Sequence, residues 1–389
     1  MADFDFNDLK KTYESFTYPI MRVYIGGQMI EQEKTNLLAS RVEVELSSGF
    51  EASIAEITLR GAFNQSIGVF KTDKAKNFIL LGSTVSILFG YGASLREVFR
   101  GFIARVHFSA GDRIPAIILT AMDVKGSLMA NRHSKRLKAR YYSDAVKELL
   151  ANNSFYTAKD DKGADFITGT IDNTPDKPES EGQGAGGQGQ QQTDDVRVEM
   201  VEESDYEFIV KAAKKFNFEF YCVGENLYFI EARKNTTPLI ELSLGMGLNS
   251  IDVGYDITGL VRQIEVRNVD SDQGSFLEKK KKLNSNISMG NRAKPMVENQ
   301  AYVYIDPTAQ NKEEVEYRLN YLSDLMDYRL GSITAVSTGL PELVPGRFIS
   351  IVGMGKPVDN DFYLTRVRHV FTLSDFYTEF EGQANKIVK

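Results

Sequence analysis

The sequence predicts a mainly β protein in which two similar antiparallel β-barrel domains flank a smaller α+β module. One observation behind this fold class is a short β-unit that occurs twice, beginning at Gly82 and again at Gly346. Another is the segment 41–46, where apolar and charged residues alternate strictly, as they do in a half-buried strand. Several short strands of this kind, separated by turns, are typical of a sandwich or a small barrel.

The two copies of the β-unit match residue by residue. When Arg105 is aligned with Arg366, Leu119 falls on Phe380 as well. A glycine precedes each copy, at a place where a turn needs a backbone without a side chain. The alignment therefore gives six structural repeat positions, none of which is a chemical site: Gly82, Arg105, Val106, Gly346, Arg366 and Val367.

Shifts in composition divide the chain into four parts. The segment 176–193 is rich in Gly and Gln and cannot supply a core, whereas the segment 270–299 is a long polar excursion. A helix over 311–330 is predicted before the last strands. The expected parts are an amino-terminal extension 1–18, a first barrel domain 19–130, the α+β module 131–245 and a second barrel domain 246–389.

Helix and turn signals support the α+β module. Ser143 is placed to cap a short helix, and Ser204 with Glu207 forms a capping-box pattern at the start of a longer one. A hairpin is predicted over 218–230. The apolar stripe of the longer helix consists of Phe208, Ile209, Ala212 and Phe216, and that of the short helix of Val146, Leu149 and Leu150.

The predicted helix of the second β region has its own signals. Asn311 stands at its start with Glu314 at the reciprocal capping position, and Gly331 is expected to end it. In the first β region, Gly26 and Gly27 predict a tight turn. The buried stripe of the helix is expected to be Val315, Leu319, Leu322 and Met326.

Length and charge narrow the classes of function. The 389 residues suffice for about two to four domains with an ample core. A net charge of -7 argues against broad nucleic-acid binding, which needs a basic surface. A chain of this charge suits at most the transient passage of an anionic polymer.

Cysteine usage and hydropathy bear on the compartment. Cys222 is the only cysteine, so no intrachain disulfide can form, and assembly in a reducing cytoplasm is expected. The start Met1–Asp5 is neither basic nor apolar, so we expect no secretory signal. No run of about 18 apolar residues occurs, so no membrane insertion is expected.

No catalytic, cofactor-binding or metal-binding residue is predicted. His107, His133 and His369 lack the spacing of metal ligands and are expected at the barrel surface or at interfaces. Cys222 is expected to be buried, because a nucleophile would need an activating histidine within reach. The glycines of 184–189 and 353–355 lack the strand and helix context of phosphate-binding loops.

The charged residues also lack a recognisable active-site motif. The lysine run 279–282 is expected to be an exposed loop, although it has the charge to touch phosphate or an acidic partner. Paired carboxylates for glycan hydrolysis stay open as an alternative, since their separation in space is invisible in the sequence.

The order of several short motifs resembles the late control protein D family of contractile phages. That family includes the tail hub and the amino-terminal part of the VgrG spike of type VI secretion. The resemblance covers residues 18–386. The matching motifs are Glu203–Ile209, Phe218–Tyr221, Asn226–Phe229, Leu244–Leu248, Gly339–Pro341, Pro345–Gly346 and Tyr377–Phe380.

The resemblance implies a baseplate hub of a phage tail or a related injection system. Such a hub is a homotrimer whose two tube-type barrels per subunit form a pseudo-six-fold ring. It would join the six-fold tail tube to a three-fold spike, form part of the conduit and contact other baseplate proteins. Because the chain stops at Lys389, after the second barrel, we expect the spike or needle to be a separate polypeptide.

Three alternatives remain at this point. Within the same class, the chain is the hub portion of a secretion-system spike. In other classes, it is a tail-associated cell-wall hydrolase, or a receptor-binding or glycan-binding tail protein. The expected location is the baseplate of a virion or an injection particle, after assembly in the bacterial cytoplasm. Interface residues are not predicted.

Overall fold

The computed structural model describes residues 2–73, 79–111, 114–160, 163–177, 197–269, 274, 276–283, 291, 294–309 and 311–388. The Gly/Gln-rich segment predicted over 176–193 therefore lies outside the described residues from position 178 onwards, and so does part of 270–299. Strands hold 47% of the residues and helices 18%, so the chain is mainly β, as the sequence predicts.

The chain contains twenty-three described strands and seven α-helices. The strands of the first part are β1 (Pro19–Ile25), β2 (Gln28–Met29), β3 (Leu38–Ser47), β4 (Ile54–Arg60), β5 (Phe63–Asn64), β6 (Val69–Phe70), β7 (Thr84–Tyr91), β8 (Ser94–Ser109) and β9 (Ala116–Met122). Those of the middle part are β10 (His133–Arg136), β11 (Thr168–Ile171), β12 (Glu199–Glu203), β13 (Phe218–Val223) and β14 (Asn226–Glu231).

The last part contributes the remaining strands. They are β15 (Pro238–Leu244), β16 (Gly247–Tyr255), β17 (Gln263–Val269), β18 (Phe276–Lys282), β19 (Ala301–Ile305), β20 (Gly331–Thr338), β21 (Phe348–Ile351), β22 (Asn360–Thr372) and β23 (Phe376–Ala384). The helices are α1 (Phe6–Thr12), α2 (Gln32–Thr35), α3 (Val124–Leu128), α4 (Tyr142–Ala151), α5 (Asp205–Phe216), α6 (Lys294–Glu298) and α7 (Lys312–Asp327).

One sheet of thirteen strands organises the molecule. Its order is β2-β1-β7-β8-β9-β4-β3-β22-β21-β15-β16-β20-β23, and β22 also pairs with β23. The last six strands in this order therefore close into a barrel, which we call the second unit. The other seven form the first unit. A single hydrophobic core runs through both units.

Local sequence explains the strands and turns of the first unit. The apolar side chains of β3, among them Val42, Val44 and Leu46, enter the core, while the charged residues between them face outward. Gly26 and Gly27 have φ of 55° and 76°, the left-handed conformation that a two-residue hairpin requires, so the predicted turn between β1 and β2 is confirmed.

The middle part forms an α+β module with its own core, in which α4 and α5 pack with β13 and β14. Ser204 and Glu207 make the predicted capping box on α5. The predicted cap of α4 is wrong, because this helix begins at Tyr142 and Ser143 lies inside its first turn. The backbone N–H of Ser143 instead donates to Thr174 Oγ1 at 2.9 Å, a partner distant in sequence.

A third core lies between α7 and the sheet β18-β17-β19, in the region predicted as a polar excursion and a helix. Asn311 caps α7 as predicted, but Glu314 pairs with Lys215 at 2.7 Å instead of completing a capping box. The predicted buried stripe of α7 is confirmed. The lysine run is not a loop, since Lys279 lies in β18 and pairs with Glu316 at 3.0 Å.

Gly331 does not end α7, contrary to the prediction. The helix stops at Asp327, and Gly331 is the first residue of β20. A Cβ at Gly331 would lie 3.0 Å from the Tyr255 ring and 3.1 Å from the Ala384 side chain. Close packing against the neighbouring strands therefore explains this glycine.

Candidate assembly surfaces

The two units meet where β3 pairs with β22, a contact that we call the joint. The strands are antiparallel, with a register that runs from Arg366 opposite Ser47 to Thr372 opposite Arg41. Strands β21 and β3 pair with the same side of β22. Strand β21 pairs with the first residues of β22, and β3 pairs with the residues that follow. The joint thus uses a strand edge of each unit and leaves neither edge exposed.

His369 lies at the centre of the joint, opposite Val44. It is fully buried, so the prediction of a surface or interface histidine is wrong. Its ring lies 6.3 Å from that of Phe89 in the first unit, and its Nδ1 lies 3.0 Å from Thr378 Oγ1. Burial lowers the pKa of His369 to about 4, which keeps the ring neutral near pH 7.

Charged side chains cover the outer side of the joint, and we call this surface the charged face. Arg368 of β22 donates to Glu379 of β23 at 2.8 Å and also to Glu43 of β3. Arg41 donates to the same Glu43 carboxylate. Burial raises the pKa of Glu43, but these two hydrogen bonds outweigh burial and hold that pKa below its usual range. The charges therefore connect the three strands.

Arg366 extends the charged face. Its guanidinium lies 3.3 Å from Glu45 and 3.3 Å from Glu51. A groove of about 620 Å³ opens here between the units, lined by acidic and basic side chains together with Ile54 and Val336. Within the part of the chain that the structure describes, no group of three or more His, Cys, Asp or Glu could hold a metal ion.

The two repeat glycines occupy similar turns. Gly82 has φ 83° and Gly346 has φ 79°. The N–H of Gly82 donates to the carbonyl of Ile103 at 2.8 Å, and that of Gly346 donates to the carbonyl of Leu364 at 2.9 Å. Both glycines therefore adopt the left-handed conformation that favours a residue without a Cβ.

The other repeat positions fall on β8 and β22. Val106 lies opposite Leu119, and Val367 lies opposite Phe380. In both strand pairs, the register shifts by one residue just before the repeated arginine, between Ile103 and Arg105 and between Leu364 and Arg366. The two arginines differ in setting, because Arg366 joins the charged face while Arg105 is exposed on β8.

The remaining candidates are scattered. Cys222 is buried as predicted, and burial raises the pKa of its thiol, which disfavours the reactive thiolate. His107 is exposed on β8. His133 of β10 lies 4.0 Å from Asp205 at the start of α5. These side chains belong to different elements and form no common site.

Glu219 is a buried acidic residue that was not predicted from the sequence. Glu219 of β13 accepts a hydrogen bond of 2.5 Å from the Tyr363 hydroxyl. Burial raises the pKa of Glu219 to about 7, against the opposing effects of Tyr363 and Arg233. The side chain lines a pocket of about 540 Å³. A signal was present in the sequence, since Glu219 interrupts an otherwise apolar strand, Phe218–Val223.

Several solved structures are similar to this chain over most of its length. The tail protein from Neisseria meningitidis MC58 is 12% identical, with a TM-score of 0.62 over 95% of this chain and 98% of its own. The 43 kDa tail protein of prophage MuSo2 from Shewanella oneidensis is 10% identical, with a TM-score of 0.65 over 94% and 98%. No family model matches the sequence, and no curated protein matches it significantly.

A third solved structure comes from a secretion system. It is an E. coli component of the type VI secretion system, described as similar to the T4 tail proteins gp27 and gp5. It is 9% identical, with a TM-score of 0.53 over 94% of this chain and 77% of its own. At these identities the likeness establishes the fold, so this chain has the fold of phage tail proteins over nearly its whole length. No described helix is long and apolar enough to span a membrane.

Proposed function

We propose that the chain is the hub subunit of a contractile phage tail or of a related injection system. Three copies form a ring that joins a six-fold tail tube to a three-fold spike and contributes to the conduit. The observation that carries this proposal is the repetition of one strand arrangement in the two units. A trimer of such chains presents six similar units, which a six-fold partner requires.

The repetition extends beyond the segment in which the sequence displays it. Strand β3 pairs with β4 as β16 pairs with β20, and both pairs shift register by one residue, after Ala39 and after Leu248 respectively. Next in order, β4 pairs with β9 as β20 pairs with β23. Bulges are features of a particular strand pair, so their coincidence supports a duplicated unit.

The charged face supports the proposed conduit role. Glu43, Glu45 and Glu379 are each within reach of Arg366 or Arg368, so the basic groups there are already paired. A surface of paired charges with an acidic excess would not retain an anionic polymer that passes along it. This agrees with the net charge of the chain, which is -7.

The proposal is tested by the oligomeric state and by assembly. We expect the purified chain to have the mass of a trimer by light scattering, alone or with its neighbouring baseplate proteins. With the tail tube protein added, electron microscopy should show a ring of six similar lobes at the tube end. A chain that stays monomeric with both the tube and the spike present would contradict the proposal.

The hub portion of a secretion-system spike is the second candidate within the class. The likeness to the E. coli secretion component supports it as well as it supports a phage hub. The two are separated by the partner that is captured: a phage tube and baseplate in one case, a secretion tube and its effectors in the other.

A cell-wall hydrolase is a candidate of another class, and Glu219 is the observation in its favour. A carboxyl with a pKa of about 7 that lines a pocket resembles a general acid. Zymography on peptidoglycan separates the classes. We expect no lysis by the wild type; lysis that disappears in the Glu219→Gln variant would replace the structural proposal by an enzymatic one.

A further inference from the structure

Two strands of the sheet have a stretch with no described partner strand on one side. Strand β8 pairs with β9 as far as Ser109, but its pairing with β7 ends at Phe102, so 104–109 has no described strand on the β7 side. Strand β16 pairs with β20 as far as Tyr255, but its pairing with β15 ends at Leu248. Among the described residues, 250–255 therefore lacks a strand on that side. Such edges are templates for pairing with another chain.

These two edges correspond to the two edges that form the joint. Phe108 lies two residues after Val106, as His369 lies two residues after Val367, which makes β8 the counterpart of β22. In the first unit, Val44 of β3 lies opposite Ala55 of β4. In the second unit, Val253 of β16 lies opposite Ile333 of β20 at the equivalent position. Strand β16 is therefore the counterpart of β3. The same contact is thus formed once inside the chain and left open once.

Exposure agrees with this reading. Phe108 is 50% exposed, whereas its counterpart His369 is 0% exposed. Val44 is fully buried in the joint, while its counterpart Val253 is only partly buried. Further exposed apolar residues occur in the segments next to the β8 edge, namely Ile67, Val69, Leu80, Leu81 and Ile114. An apolar surface of this kind marks a protein interface.

Charges at the two edges are complementary. In the register of the joint, the Arg105 cation would lie opposite the Asp256 carboxylate, and the His107 ring would be diagonal to Asp252, at the position where Arg368 is diagonal to Glu43. No pair of like charges is brought together by this register. Opposite charges at matching positions favour one register over its neighbours.

We propose that β8 of one copy pairs with β16 of the next copy, antiparallel and in the register of the joint. Phe108 then lies opposite Val253 of the neighbouring copy, and Ser109 lies opposite Asp252. Each chain offers one edge of each kind, so the contact is heterologous, and it forms a ring when the rotation between copies closes, as the proposed hub requires. The number of copies in the ring rests on the proposed trimeric hub, whereas the strand pairing does not.

Paired cysteines test the register. Directly opposite residues have Cβ atoms about 4.5–5.5 Å apart, within reach of a disulfide after small adjustments. We expect the variant Ser109→Cys/Asp252→Cys to form an intermolecular disulfide on mild oxidation and to migrate as a covalent trimer without reductant. Ser109→Cys/Thr334→Cys is the matched control, because Thr334 lies opposite Asp252 on β20, one strand farther away. The control pair should stay uncrosslinked.

A charge at the apolar edge tests the pairing independently. We expect Phe108→Asp to weaken self-association by about 30-fold or more, the effect of losing an aromatic anchor at an interface. The variant loses an edge-on contact between the rings of Phe108 and Phe70, 5.3 Å apart, but the monomer should keep its circular dichroism spectrum, because the Phe108 side chain is half exposed. Val201→Asp is the control, since Val201 is 71% exposed on β12 and belongs to neither edge. It should leave association unchanged.

The outcomes separate this inference from the proposed function. If the wild type is a trimer but the Ser109→Cys/Asp252→Cys variant does not crosslink and Phe108→Asp still trimerises, the strand pairing is overturned and the hub proposal stays intact. Crosslinking of a ring with a copy number other than three would keep the pairing and contradict the hub. A chain that never self-associates would overturn both.

Discussion

The two units share a strand arrangement but complete their sheets differently. The second unit closes on itself, because β15 bridges β21 and β16 and β22 pairs with β23. In the first unit, β1 pairs with β2 and β7, while β3 pairs with β4 and with β22 of the other unit. A repeated unit can therefore have equivalent strand edges that pair with different strands. The β3 and β22 edges pair with each other within the chain, whereas the equivalent edges of β16 and β8 have no described partner strand.

The largest expected difference is between the two valines at matching edge positions. Val44→Asp places a charge in the fully buried joint and should lower the free energy of unfolding by more than about 4 kcal/mol, because an unpaired buried charge is strongly disfavoured. Val253→Asp should cost the monomer about 1 kcal/mol or less. Urea unfolding of dilute protein measures both. Equal losses would mean that the two edges are not alternative versions of one contact.

The two repeat glycines offer a smaller contrast. A Cβ on Gly346 would lie 2.4 Å from the buried Tyr221 ring, whereas a Cβ on Gly82 would meet nothing within 4 Å. We expect Gly346→Ala to cost about 3 kcal/mol, from the left-handed backbone and overpacking together.

Gly82→Ala should cost only about 1 kcal/mol, because it carries the backbone strain alone. Thermal and urea unfolding check the pair. If both variants lost the same stability, backbone conformation alone would explain these glycines, and the contact with Tyr221 would have no energetic role.

Local signals in the sequence were sufficient for much of the fold. The alternation over 41–46, the capping box at Ser204 and the turn at Gly26 each depend on neighbours within a few residues, and each was read correctly. Such features are set by propensity and by the periodicity of apolar residues.

Errors arose where a distant residue decides the local structure. Thr174 caps α4 in place of Ser143, and Tyr255 with Ala384 explains Gly331. The burial of His369 likewise depends on β3, which is remote in sequence. No single-chain pattern reveals which edge strand will cover which, so the interface residues could not be named before the pairings were known.

His369 allows the joint to be followed by pH. Burial lowers its pKa to about 4, while the unfolded chain binds a proton near pH 6.5. Stability from this group is therefore fully present above pH 6.5 and is lost as the pH falls towards 4. Between pH 7 and pH 5 the loss should be about 2 kcal/mol.

The variant His369→Phe, which places at the joint the residue found at its counterpart Phe108, should remove that part of the pH dependence. His107→Phe is the control, since His107 is exposed, and it should behave as the wild type does. Urea unfolding at several pH values gives the measurement. An unchanged slope in His369→Phe would show that the buried ring is not the source.

The smallest expected effect concerns the charged face. Arg368 connects β22 to Glu43 across the joint and to Glu379 on β23, but its side chain is 36% exposed. A partly exposed pair of this kind contributes about 0.5–1 kcal/mol, and salt screens it. We expect a double-mutant cycle of Arg368→Gln with Glu43→Gln to give a coupling of that size at low salt and less at about 1 M salt.

Arg105→Gln is a comparison variant, because Arg105 is the counterpart of Arg366, the other arginine of the charged face, and lies on the open edge that corresponds to β22. In the monomer it should leave stability unchanged, whereas in the assembled ring it should weaken association in a salt-dependent way. A coupling of zero between Arg368 and Glu43 at low salt would assign the joint to apolar burial alone.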